Sequence, residues 1–371
     1  MAYLGESTAK LGFGLMRLPK LGDGGIDVAQ TSLMVDEFLS GGGTYFDTAW
    51  AYGGSEEAIR KALVERHPRH SYTIATKNAA WLGPKTADEA KAQLSISLER
   101  LGTDYVDYYL LHNLGGTRTR FFEEWGLWDW ALQMKREGKI RHLGFSFHDN
   151  AKTLDQILQA HADDVEFVQL QINYADWEDG SVQSRLVHEV ARSYDKPVVI
   201  MEPVKGGTLA NPPEPVAQIL RAAEPERPLV EWALRFAMNF DGLIACLSGM
   251  SSLEQMRENL QILKRLSPLT QKELDALAAA RAKLAELIAV PCTGCHYCME
   301  DCPVSMPISS IMESLNRAAL YGMDRGKSNY GFATRDGVRA SDCIRFGQCE
   351  EACPQHIDII DKLAAAAEQF E

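Results

Sequence analysis

Between Leu11 and about Leu266, short β-type runs alternate repeatedly with longer segments of helical period. Nothing else in the chain restricts its fold as strongly. The candidate strands are Tyr45–Phe46, Tyr72–Thr76, Tyr105–Leu111, Ile140–Ser146, Phe167–Gln171, Pro197–Met201 and Leu243–Leu247. Helical patterns separate or follow them at Ala29–Leu39, Glu56–Arg66, Ala87–Leu101, Phe122–Glu137, Asn150–Ala160, Val182–Ser193, Pro228–Asn239 and Leu253–Arg265. Strand–helix alternation implies a parallel sheet covered by helices, an α/β fold. This many units within ~250 residues favour a closed eightfold (β/α)8 TIM barrel over an open sheet. The alternation stops after Arg265, and Gln271–Ala289 reads as an Ala/Leu-rich helix. The expected division is a barrel over 1–285 and a second, smaller domain over 286–371.

At 371 residues the chain has room for both. Its net charge of −13, without any Lys/Arg-rich run, argues against a nucleic-acid or anionic-membrane partner. No stretch is apolar for long enough to span a membrane. The first residues lack a basic segment followed by an apolar core, so a cytoplasmic location is expected.

Three successive candidate strands end in an ionisable residue: Asp47, Lys77 and His112. A buried parallel strand has no structural need for charge at its end, whereas strand C-termini form the active-site face of an eightfold barrel. The three should therefore converge, with Tyr52 on the loop after the first.

These stretches resemble the aldo-keto reductase superfamily. The likeness runs through Phe46-Asp47-Thr48-Ala49, Tyr52-Gly53, Ser55-Glu56 and Ala75-Thr76-Lys77, then Ser97 to Asp107 leading into Leu110-Leu111-His112, and Ile140-Arg141 to Gly144-Phe145-Ser146. It covers about the first 265 residues and implies a catalytic tetrad of Asp47, Tyr52, Lys77 and His112. In that scheme hydride moves between a nicotinamide and a carbonyl carbon. Tyr52, a residue type that titrates near ~10 when free, would exchange the proton with help from the Lys77 ammonium. Asp47 would hold Lys77, and His112 would orient the carbonyl oxygen. The resemblance further implies that Ser146 and Gln169 bind the carboxamide, that Met201 stands where an aromatic ring often stacks, and that Pro203, Lys205 and Gly206 belong to the pyrophosphate loop. Gly249, Met250 and Asn259 would serve the adenosine end. Gln255 replaces the arginine that often clamps a 2′-phosphate, so NADP, the family's usual cofactor, and NAD both stay open. Trp50 and Trp81 could wall a substrate pocket, and His148 could face it.

Seven of the eight cysteines lie between Cys292 and Cys353. Without a secretory signal, such clustering points to metal rather than disulfides. Cys292, Cys295, Cys298, Cys302 and Pro303 form C-x2-C-x2-C-x3-C-P, the bacterial ferredoxin run for a [4Fe–4S] cluster. A second copy follows at an offset of 51 residues, with Cys343, Cys349, Cys353 and Pro354, but Phe346 stands where Cys295 would repeat. In two-cluster ferredoxins the fourth cysteine of each run ligates the other cluster. Cluster one would thus use Cys292, Cys295, Cys298 and Cys353. Cluster two would use Cys302, Cys343 and Cys349, as [3Fe–4S] or as [4Fe–4S] with one iron on a non-cysteine ligand; the alternative is a degenerate site that stays empty. Cys246 reads as a core residue. A ferredoxin-like α-helical iron–sulfur domain after the barrel is thus expected, and the whole resembles the iron–sulfur branch of the superfamily.

The expected function is a nicotinamide-dependent oxidoreductase acting on a small carbonyl or alcohol. A nicotinamide moves two electrons and a cluster one, and no flavin motif bridges them. The clusters are therefore structural, or they serve a redox partner protein. The alternative is an iron–sulfur electron-transfer or redox-sensing protein whose barrel only binds nucleotide.

Overall fold

The computed structural model describes residues 3–180 and 182–371. Eight strands close into a parallel barrel: β1 (Leu11–Gly14), β2 (Tyr45–Asp47), β3 (Thr73–Asn78), β4 (Val106–Leu114), β5 (Ile140–Phe147), β6 (Phe167–Gln171), β7 (Val198–Met201) and β8 (Leu243–Ser248). Each strand pairs with the next, and β8 returns to β1 through Leu11↔Cys246, Gly12↔Leu247 and Phe13↔Ser248.

The interior is solid. Tyr45, Ala75, Tyr108, Leu110, Phe167, Val199, Ala245 and Leu247 form one buried cluster. Tyr108 packs 4.9 Å from Tyr45 and meets Phe167 edge-on at 5.3 Å, ring centroid to centroid. Side chains two residues apart on a strand share a face. The layer above Tyr45, Ala75 and Leu110 is therefore Asp47, Lys77 and His112. A polar layer capping an apolar core at the strand C-termini is what an eightfold barrel needs for a site.

At the opposite end Asp107, buried near the start of β4, accepts from Arg69 Nη2 at 2.6 Å, Arg141 Nη1 at 2.9 Å and Ile74 N–H at 2.9 Å. Both guanidiniums also lie over the Tyr105 ring, at 4.1 and 4.0 Å.

β1 has no counterpart among the candidate strands. Leu11-Gly12-Phe13-Gly14 is half glycine, a residue depleted in strands. The reason is spatial, because a β-carbon on Gly12 would lie 2.8 Å from Leu247 Cδ2. The stretch expected as one helix over Phe122–Glu137 is two, Thr119–Glu124 and Leu127–Arg136, broken at Gly126 with φ 59°. A helix over Glu214–Ala223, in a proline-rich stretch, was not legible in the pattern.

By compactness the chain forms two units that do not follow a single cut. One holds the chain up to Glu178, Gln183–Pro203 and Ala233–Leu269; the other holds Asp179–Val182, Val204–Trp232 and Thr270–Glu371. The second unit is helical. In it Met306, Ile308, Ile311, Met312, Leu315, Tyr330, Ile357, Ile359 and Leu363 make an apolar core against which Cys292, Cys298, Cys302, Cys343 and Cys349 pack. Among the described residues no helix is long and apolar enough to cross a membrane.

Candidate active site and cysteine-lined cavities

Lys77 is 1% exposed, and its ammonium donates to Asp47 Oδ1 at 2.5 Å and to the Thr48 carbonyl at 2.7 Å. The same Nζ lies 5.0 Å from the centre of the Tyr52 ring. That ring meets His112 edge-on at 5.9 Å. Asp47, Lys77 and His112 are all buried and Tyr52 is half-buried. All four expected residues come together.

Burial lowers the Lys77 ammonium from its ordinary value and raises the Asp47 carboxyl, while their mutual attraction opposes both shifts. Burial also depresses His112 well below the usual histidine range, helped by the positive charges of Lys77, His148 and Arg118. The His112 imidazole is therefore neutral at pH 7 and can donate a hydrogen bond without carrying charge. A second carboxylate supports the layer: Glu56 accepts from Thr76 Oγ1 at 2.7 Å and Arg100 Nη1 at 3.3 Å, and its charge favours the protonated Lys77.

Ser146 and Gln169 are register partners on β5 and β6, both buried in the same layer. Among the described residues Gln169 Oε1 has no hydrogen-bond partner, which leaves a buried acceptor suited to an amide N–H2. Ser146 Oγ accepts from the Asn113 N–H at 2.7 Å. Met201 ends β7 and the buried Pro203 follows it. Gly249 and the buried Met250 follow β8. Asn259 donates to Ser248 Oγ at 2.9 Å, tying helix Leu253–Lys264 to β8. Gln255 Oε1 accepts from the Ser251 N–H at 2.8 Å. Trp81 Nε1 donates to the His112 carbonyl at 2.8 Å, and the Arg100 guanidinium lies 5.7 Å from the Trp50 ring. Lys205 and Gly206 belong to the second compact unit.

In that unit the seven cysteines fall into two sets. Cys292, Cys295, Cys298 and Cys353 line one pocket. Cys302, Cys343 and Cys349 line another, together with Asp301 and Phe346. These are the crossed sets expected from the spacing. Burial pushes the Cys298 thiol up, as do Cys295, Cys353 and Cys292 around it. Cys349 is pushed up to about 11, mainly by burial and then by Glu350 and Cys343. Among the described residues no three donors converge on a single metal-ion position, so the thiols surround spaces rather than a point.

The 51-residue repeat extends to the backbone. Left-handed residues recur at Gly294 (φ 64°) and Arg345 (57°), His296 (68°) and Gly347 (91°), and Ser305 (52°) and His356 (50°). Short helices recur at Tyr297–Glu300 and Gln348–Glu351. Longer ones start at Ile308 and Ile359. Arg345 holds a conformation that disfavours any residue with a β-carbon, at a cost on the order of 1 kcal/mol. The second loop thus keeps the first loop's shape where glycine has been lost.

The family model described as the aldo/keto reductase family matches residues 10–282. The chain belongs to the aldo/keto reductase family. A model described as a 4Fe-4S dicluster domain matches residues 291–358, so this oxidoreductase carries a 4Fe-4S domain. An aldo-keto reductase of Mycolicibacterium vanbaalenii is 30% identical over 249 residues, covering 65% of this chain and 81% of that protein. The uncharacterized oxidoreductase YqkF of Bacillus subtilis is 26% identical, covering 71% of this chain and 95% of its own length. Among solved structures, the holo form of an aldo-keto reductase from Bacillus halodurans superposes with a TM-score of 0.59 at 26% identity, covering 75% of this chain and 95% of that one. An aldo/keto reductase from Klebsiella pneumoniae, solved with NADP and acetate, shares the fold at 21% identity and a TM-score of 0.57, covering 73% and 91%.

Two residues near this reductase's site escaped the sequence reading. Asn113, next to His112, is fully buried with φ 61°, and neither side-chain polar atom has a partner among the described residues. Its only signal was its adjacency to a strand-end histidine. The aliphatic stem of Arg17 lies against Gly249, a β-carbon on which would be 3.6 Å from Arg17 Cβ and Cδ. Arg17 thus lies with its stem beside Gly249 at the end of β8, where the sequence offered only Gln255.

Proposed function

We propose that the barrel transfers hydride between a reduced or oxidised nicotinamide dinucleotide and a small carbonyl or alcohol. The observation that carries this reading is the Lys77 ammonium, hydrogen-bonded to Asp47 and 5.0 Å from the Tyr52 ring, with a neutral His112 edge-on to that ring. Bound at the strand C-termini, the dinucleotide supplies or accepts the hydride. As negative charge grows on the carbonyl oxygen, Tyr52 gives its proton to it, and Lys77 stabilises the phenolate left behind. His112 donates a hydrogen bond to the same oxygen and orients it. Asp47 keeps Lys77 in place and charged. Gln169 Oε1 would accept from the carboxamide, the role its buried, unpartnered state suits. The loop Met201-Glu202-Pro203-Val204-Lys205-Gly206-Gly207 would hold the pyrophosphate. With Arg17 near the end of β8, NADPH is the dinucleotide we expect to bind more tightly than NADH.

The cysteine sets fit two iron–sulfur clusters. A [4Fe–4S] cluster would sit on Cys292, Cys295, Cys298 and Cys353. A second would sit on Cys302, Cys343 and Cys349, as [3Fe–4S] or as [4Fe–4S] with a non-cysteine ligand, for which Asp301 lines the cavity. Retention of the loop shape at Arg345 supports an occupied second site. The clusters would supply one-electron chemistry or stabilise the domain as bound metal does, and the former calls for a redox partner protein.

Replacing Tyr52 by Phe tests the reductase reading. Turnover of NADPH with an aldehyde panel should fall at least about a hundredfold while NADPH affinity holds. An iron–sulfur electron carrier whose barrel merely binds nucleotide would be indifferent to that change.

A further inference from the structure

The glycine pair after β7 is shaped for two different neighbours. A β-carbon on Gly206 (φ 63°) would lie 2.5 Å from the Thr293 carbonyl oxygen and 3.1 Å from the Thr293 C and Cα atoms. On Gly207 (φ 101°) it would meet nothing within 4 Å among the described residues. Gly206 therefore makes room for this chain's own main chain, and Gly207 is the one that leaves space for a ligand. Thr293 is 5% exposed and stands between Cys292 and Gly294, in the loop that wraps the first cysteine-lined cavity. That loop is itself held. The Gly294 N–H points at Cys292 Sγ at 3.4 Å. Val290, just before the run, exchanges two hydrogen bonds with the Asn316 amide, at 2.8 and 2.7 Å. Lys205, with φ 47° and 4% exposure, is fixed beside the contact.

We infer that the cluster-one loop sets the conformation of the pyrophosphate loop, so that dinucleotide binding and the state of cluster one are thermodynamically coupled through Gly206 and Thr293. The inference rests on the functional reading above, which gives these loops their ligands. The sign follows from charge. Adding one electron to cluster one makes it more negative, and the pyrophosphate of the dinucleotide is an anion received on an adjoining loop. Reduction of the cluster should therefore weaken dinucleotide binding. By linkage, the dinucleotide must make the cluster harder to reduce by the same factor. Gly206 acts here as a positioning residue, since it works through the shape of a loop.

The experiment uses the full-length, cluster-loaded protein, prepared without air and poised oxidised or one-electron reduced with mediators. NADPH affinity is measured in each state by fluorescence, and the midpoint potential of cluster one is read by EPR with and without NADPH. We expect about tenfold weaker binding to the reduced protein and a matching shift of about 59 mV to lower potential for this one-electron couple. Gly206→Ala, which drives a β-carbon into Thr293, should change the cluster-one EPR signal and reduce the coupling. If that variant does not fold, the wild-type pair of measurements still decides. Equal affinity in both states with an unmoved potential would overturn the coupling while leaving the reductase reading intact. Failure of both states to bind NADPH would remove that reading, and the coupling with it.

Discussion

Replacing Lys77 by Met removes the ammonium and keeps most of the buried stem. What is lost follows from two distances: 2.5 Å to Asp47 Oδ1 and 5.0 Å to the centre of the Tyr52 ring. At an effective dielectric near 20, a unit charge at the latter distance stabilises a full phenolate by about 3.3 kcal/mol. Tyr52 is half-buried, and water on its open side reduces this to about 2–3 kcal/mol, or about 30- to 160-fold in turnover. Stability responds separately. Asp47 loses its counterion but already has a carboxyl raised by burial, so it takes up a proton instead of remaining a buried unpaired charge. Adding Asp47→Asn to the same chain should therefore restore thermal stability and leave turnover low. The assay is single-turnover oxidation of bound NADPH by an aldehyde, with NADPH affinity and thermal unfolding measured on the same preparations. A folded Lys77→Met protein that turns over within about threefold of the unaltered enzyme, a difference of about 0.6 kcal/mol, would refute the role given to this charge.

The His188 side chain is lowered to about 4 by burial, with Arg192 adding to the effect against Glu189 and Asp241. Its folded value lies below its unfolded one near ~6.5, so its contribution to stability is whole above that pH and is lost as pH falls towards about 4. His188→Phe keeps an aromatic ring against Trp177 and Phe240 and should flatten the fall in melting temperature over that window; parallel profiles would contradict a buried neutral imidazole. Asp107→Ala leaves two guanidiniums and the Ile74 N–H without their common acceptor at the closed end of the barrel. It should cost roughly 2–4 kcal/mol in denaturant unfolding with no change in NADPH affinity. Iron and sulfide analysis should give about seven to eight iron per chain with two EPR signals, whereas about four iron and one signal would empty the three-cysteine site.

The repeat of strand and helix was enough to expect a closed barrel, because parallel strands buried on both faces are nearly continuous in Val, Ile, Leu and Tyr and end where charge begins. β1 escaped because glycine carries no side chain to pattern, and the close approach of Leu247, Ala245 and Tyr45 on the neighbouring strands is what favours glycine at position 12. The tetrad was legible through its strand ends. That Asp47, Lys77 and His112 occupy one layer, two residues beyond the packed core, comes from strand periodicity and barrel closure acting together. Cysteine spacing specified two crossed ligand sets, since a thiolate's partners in a ferredoxin run lie at fixed offsets. What the spacing could not show is the function of the glycine pair. In sequence Gly206 and Gly207 are interchangeable, and only the folded chain brings the Thr293 carbonyl against one and leaves the other open. Local pattern determines which residues carry chemistry, because propensity and spacing act over a few residues. Tertiary structure decides which of them touch, because contacts between residues nearly ninety positions apart depend on how the whole chain packs.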